Sequence, residues 1–271
     1  LFAGDVTAMT EEEEIRLGRQ LHVQVLREYR VYRDERLHEY VNEIGERLVA
    51  VSERPELDFT FTVLDSPEVN AFAGPGGYVY VSRGLITYLN SEAQLAAVIG
   101  HEIGHVTGRH ASRAEANQGV SNALGILAAI AIGLPGAQEL GNLAGTVLQR
   151  GYGRGRELEA DESGARYLAA AGYDPNAMIE VIGILKDQEL FEIEQAQAED
   201  REPRVYHGLF ATHPRADTRL QEVVGAAGEA RRNATGNVVN QFKFLQFIEG
   251  MTFGQALADP RVARGEQHHP D

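Results

Sequence analysis

Five consecutive residues constrain this chain more than any others: His101-Glu102-Ile103-Gly104-His105. They lie in a stretch that reads as a buried helix. Ser91, with Gln94 three residues on, forms a capping-box pair. Leu95, Val98, Ile99, Ile103 and Val106 make a broad apolar face, and no charged residue occurs between Leu95 and Gly100. The histidines therefore enter an apolar element, where polar groups are costly unless satisfied. Helix positions i and i+4 are about 40° apart around the axis, so His101 and His105 point the same way. That spacing suits two nitrogen ligands on one tetrahedral zinc. Glu102 is turned by about 100° from His101, where it can take a proton from water without being a ligand. The competing reading is a pair of hydrogen-bonded core histidines with Glu102 as an ion-pair partner.

A catalytic zinc usually takes three protein ligands. The stretch from Arg156 to Leu168 is helical in composition and carries several carboxylates. Glu157 and Asp161 share a helix face at i, i+4. One could bind metal while the other accepts the free N–H of a ligand histidine. Glu159 points to the other side of the helix and remains a competing ligand. Glu162 fits a solvated acidic face.

Taken together, several segments carry a family resemblance. They are Val69-Asn70-Ala71-Phe72-Ala73, Gly76-Gly77-Tyr78-Val79-Tyr80-Val81, the His101–His105 helix, Glu157 to Asp161, and Thr212-His213-Pro214 with Arg219. Their order over roughly residues 10 to 225 resembles the HtpX and CAAX-prenyl-protease-like zinc metallopeptidases, in particular the soluble periplasmic BepA/LoiP-type branch. The resemblance implies an α+β, mostly α-helical fold: a gluzincin-type metalloprotease core with a small β-sheet beside the active-site helix. It implies one Zn2+ ion held by His101, His105 and Glu157, which selects Glu157 over Glu159, with Asp161 behind a ligand. Glu102 becomes the general base. His213 becomes a fourth ligand of a resting state or a donor to the tetrahedral intermediate. Arg219 would support that loop or stabilise developing negative charge. Tyr78, Val79, Tyr80 and Val81 would form an edge strand beside the zinc, to which a peptide substrate adds.

The implied activity is zinc-dependent endoproteolysis of polypeptide substrates, in particular misfolded or unassembled envelope proteins. The alternative is a latent zinc-bound, chaperone-like assembly factor with little turnover, in which His213 occupies the water position. The implied location is the periplasm or bacterial cell envelope. The first residue is Leu1, which agrees with a removed signal sequence. Peripheral association with a membrane or with the outer-membrane assembly machinery fits the same resemblance.

Composition narrows the field further. The 271 residues carry a net charge of −15, which argues against nucleic acid as a partner and leaves no basic patch for anionic lipid. There is no cysteine, hence neither a disulfide framework nor a thiolate metal site. The most apolar run, residues 123–134, falls short of the ~20 needed to span a bilayer and meets Pro135 and Gly136. It reads as a core helix, a membrane-surface helix or a plug over the cleft. Helical periodicity covers residues 11–29 and 35–51, and Asp174-Pro175 starts another helix through Leu185. Residues 59–64 and 78–82 alternate as strands, the second after the Gly74-to-Gly77 turn. Residues 188–204 read as a solvated helix end and loop. The expected organisation is a metallopeptidase domain over 1–231 and a C-terminal extension over 232–271 that docks through its phenylalanines and ends in a disordered tail. His110 reads as a helix-end histidine without a role.

Overall fold

The computed structural model describes residues 9–113, 154–199, 201 and 216–251. Local capping starts each early helix. Helix α1 (Glu11–Glu28) opens with a closed capping box: the Glu13 amide donates to Thr10 Oγ1, and the Thr10 amide donates to Glu13 Oε2. Helix α2 (Glu35–Val49) is capped by Asp34, which accepts from the Leu37 amide. Three strands follow: β1 (Thr60–Leu64), β2 (Ala71–Gly74) and β3 (Tyr78–Ser82). A short helix α3 (Arg83–Ile86) leads to α4 (Glu92–Thr107), which carries the His101–His105 motif. Then come α5 (Arg154–Ala170), α6 (Asn176–Ala198), α7 (Ala216–Arg232) and α8 (Gln241–Ile248). The described residues make an α+β, mostly helical architecture with one small sheet among them.

Strand order within the sheet is β1-β3-β2. β3 pairs with β1 in parallel, Thr60 facing Tyr78, and with β2 antiparallel, Ala71 facing Val81. Tyr78, Val79, Tyr80 and Val81 therefore form the middle strand, which corrects the expectation that they make an edge. The reason lies in the turn. Gly76 and Gly77 adopt φ of 73° and 95°, a conformation open to glycine, and fold β2 back against β3. That hairpin occupies one side of β3, and β1 occupies the other. β1 in turn meets residues 31–32: Val31 bridges Leu64, and the Tyr32 amide donates to Val63 O.

Helix α4 is buried from Glu92 to Val106 and runs through the middle of the core. Its Ser91 cap accepts from the Gln94 amide, but the Gln94 side chain accepts from Asn90 rather than from Ser91. The expected capping box is thus closed one residue upstream. α4 packs most closely on α5. Small residues allow this approach: Gly100 lies on Gly164, and Gly104 lies on Ala160.

Two other sequence expectations change at their boundaries. α6 continues to Ala198, so much of the charged 188–204 stretch is helix rather than loop. Its N-cap is Pro175, and Asp174 just before it accepts from the Asn176 amide. Residues 238–239 form a strap, with the Val238 amide donating to Gly172 O and the Ala93 amide donating to Val239 O. α8 then packs through Phe244, which is fully buried, and Phe247, whose ring stacks on Tyr40 at 4.0 Å. Among the described residues no helix is long and apolar enough to cross a membrane. The 123–134 run and the tail beyond residue 251 lie outside the described residues.

Candidate metal centre

The tight α4–α5 contact sets two faces of side chains against each other. His101 and His105 come from α4, and Glu157 and Asp161 come from α5. Among the described residues, His101, His105 and Glu157 form a trio whose donor atoms all lie within 4.8 Å of one another. His101 Nε2 and His105 Nε2 are 2.9 Å apart. Glu157 Oε2 lies 3.5 Å from His101 Nε2, and Oε1 lies 3.6 Å from His105 Nε2. All three residues are buried. The two imidazole rings meet edge to face at 83°, so their Nε2 atoms converge while their planes diverge.

The other ring nitrogens point away and have partners. His101 Nδ1 lies 2.8 Å from Asp161 Oδ1. An ionised carboxylate only accepts, so the proton sits on Nδ1 and the Nε2 lone pair faces Glu157. His105 Nδ1 lies 2.7 Å from His110 Nδ1. His110 is fully buried, and its Nε2 is 3.2 Å from Glu159 Oε2. Burial pushes the His110 imidazole below its ordinary value, opposed by the nearby Glu159 carboxylate. Glu159, the competing ligand of the sequence reading, thus lies outside the trio. It is half exposed and also pairs with Arg113 at 2.7 Å. Glu102 is fully buried on α4, adjacent in sequence to His101.

The donor set fits a zinc ion. Two imidazole nitrogens and a carboxylate oxygen are a usual three-ligand complement. A carboxylate buried between two imidazoles is costly unless it is paired or coordinates a metal. Other first-row divalent cations share much of this donor preference.

The surroundings bind α4 to the N-terminal helix. Glu14 of α1 is buried and accepts from Arg54 at 3.3 Å and from Arg109 at 3.1 Å. Arg109 follows the end of α4 with φ of 51° and also donates to the Met9 carbonyl. A small cleft beside His105 is bordered by Ala73 and Gly74 of β2, Pro75, Glu14 and Arg109. The strand on the His105 side of the sheet is therefore β2, not β3.

Sequence reasoning passed over His110. Its five-residue separation from His105 matches no helical repeat, and the left-handed Arg109 that folds it back is not legible beforehand. His213 lies outside the described residues, and Arg219 falls in α7 with its side chain outside them.

Residues 35–227 match the description "Peptidase family M48". This chain belongs to peptidase family M48. Similar proteins include the "Beta-barrel assembly-enhancing protease" of Escherichia coli (strain K12), 36% identical over 209 residues, or 73% of this chain and 40% of that protein. The protein of the same name from Yersinia pestis is 32% identical over 213 residues, 75% of this chain and 42% of the relative. The "Mitochondrial metalloendopeptidase OMA1" of Schizosaccharomyces pombe is 34% identical over 142 residues, 51% of this chain and 41% of the relative. The chain thus spans about two fifths of the length of these relatives.

Proposed function

We propose that this domain is a zinc-dependent endopeptidase with Glu102 as general base. The observation that carries the reading is the convergence of His101 Nε2, His105 Nε2 and Glu157 from two packed helices, with Glu102 next to the first ligand. Zinc held there would act as a Lewis acid toward water and the scissile carbonyl. The Glu102 carboxylate takes a proton from the attacking water and returns it to the leaving amine nitrogen. Asp161 holds the His101 ring in the tautomer that offers Nε2 inward. By resemblance, His213 and Arg219 would face the developing oxyanion.

Substrates would be polypeptides, in particular misfolded or unassembled proteins of a bacterial envelope. What favours this choice is the similarity to proteases named for β-barrel assembly. The same similarity favours a periplasmic location and an association with outer-membrane assembly machinery. The decisive experiment is Glu102→Gln. The variant should bind zinc as the wild type does and lose cleavage of casein or another unfolded protein. Cleavage at the wild-type rate would sink the assignment.

A further inference from the structure

We infer that His110 and Glu159 form a positioning relay for the metal ligand His105. The inference rests on the metal reading of the site. His105 presents Nε2 toward His101 and Glu157, so its proton belongs on Nδ1. The atom facing His105 Nδ1 at 2.7 Å is not a carboxylate oxygen but His110 Nδ1. A hydrogen bond needs one donor and one acceptor, so His110 Nδ1 must be the unprotonated nitrogen of a neutral ring. Its proton is then on Nε2, which faces Glu159 Oε2 at 3.2 Å, an ion-pair distance without hydrogen-bond alignment. The Glu159 carboxylate, by its charge, therefore favours that tautomer of His110, and His110 sets the tautomer and ring orientation of His105. The chain of contacts runs from a fully buried metal pole to a half-exposed carboxylate held by Arg113.

The backbone is shaped for this arrangement. α4 ends at Thr107, and Arg109 adopts φ of 51°, which returns His110 toward the ligand helix. The ring lies against Gly108: a Cβ there would stand 2.5 Å from His110 Nε2. The two ligands are thus supported differently. His101 is backed directly by Asp161, whereas His105 is backed by a carboxylate acting through a second imidazole.

The test is zinc affinity, measured by competition with a chromophoric chelator, together with the ligand-field spectrum of the Co2+-substituted protein. His110→Ala removes the acceptor and should weaken zinc binding by about 10–100-fold. His110→Asn places an amide oxygen near the position of Nδ1 and should recover most of that loss and the wild-type Co2+ spectrum. Glu159→Ala should weaken binding in the wild-type background and have no further effect in His110→Asn, which lacks the second ring nitrogen. Equal affinity of His110→Ala and wild type would overturn the relay. So would equal weakening of the Ala and Asn variants, because the ring would then only fill space. If His110→Ala does not fold, unchanged affinity in Glu159→Ala, a half-exposed site, overturns it instead. Failure of the wild type to bind zinc would instead remove the metal reading itself.

Discussion

Gly104 meets Ala160 so closely that a Cβ built on Gly104 would lie 3.0 Å from both the Cα and the carbonyl oxygen of Ala160. The glycine inside the His101–His105 motif is thus what lets α4 and α5 approach, and the approach brings Glu157 to the histidines. Gly104→Ala should separate the two helices by a few tenths of an ångström and cost about 1–3 kcal/mol. Gly104→Val should do more. Thermal unfolding of metal-free protein and zinc content should fall together in this series. A Gly104→Val protein with wild-type melting and full zinc would refute the packing argument.

Asp161 makes a separable contribution. It is buried and 2.8 Å from His101 Nδ1, outside the ligand trio. Asp161→Ala should reduce zinc affinity by about 10–100-fold while leaving the three ligand atoms in place. Asp161→Asn should reduce it less, because its side-chain oxygen still accepts from Nδ1. The measurement is a chelator titration of each variant.

The sequence discloses most where local signals and burial agree. α1 and α2 follow from caps plus an apolar stripe, and α4 follows from an uninterrupted apolar run around the motif. A place for Asp161 behind one of the ligand histidines is legible once the E-x-x-x-D spacing is joined to the resemblance, but that the histidine is His101 is not. β2 is not legible. Ala71-Phe72-Ala73-Gly74 has little intrinsic strand preference and is held by its hairpin partner. That strand covers the side of β3 on which the resemblance implied an open edge. His110 is hidden for a different reason: its role depends on one left-handed residue, Arg109, and on a contact with α5 from about fifty residues away.

Glu92 predicts a pH dependence. Burial raises its carboxyl pKa, but hydrogen bonds from Tyr40, Tyr173, Asn240 and Lys243 outweigh burial and leave it below the ordinary value. A carboxyl with a depressed folded pKa contributes stability above its unfolded pKa of about 4.3 and loses it as pH falls through the folded value. Glu92 joins α2, α4 and the segment carrying α8, so acid should loosen all three. Metal-free Glu92→Gln should melt well below wild type at neutral pH. The gap should shrink once the pH drops below about 4. A gap that stayed constant down to acid pH would assign the effect to packing rather than charge.

Two phenylalanines in α8 separate docking from mere proximity. Phe244 is fully buried against the core, whereas Phe242, two residues earlier, is 76% exposed. Successive residues on a helix are about 100° apart, so positions 242 and 244 face nearly opposite sides. The rings of Phe247 and Tyr40 stack 3° from parallel, and Tyr40 also donates to Glu92 at the start of the motif helix. Phe244→Ala should therefore cost about 3–5 kcal/mol, while Phe242→Ala should stay within about 0.5 kcal/mol. Denaturant unfolding of the two variants measures both. If α8 is integral to the peptidase fold, Phe244→Ala also unfolds in the same single transition as the rest of the chain. A separate early transition would make residues 241–251 an appendage that the core does not need.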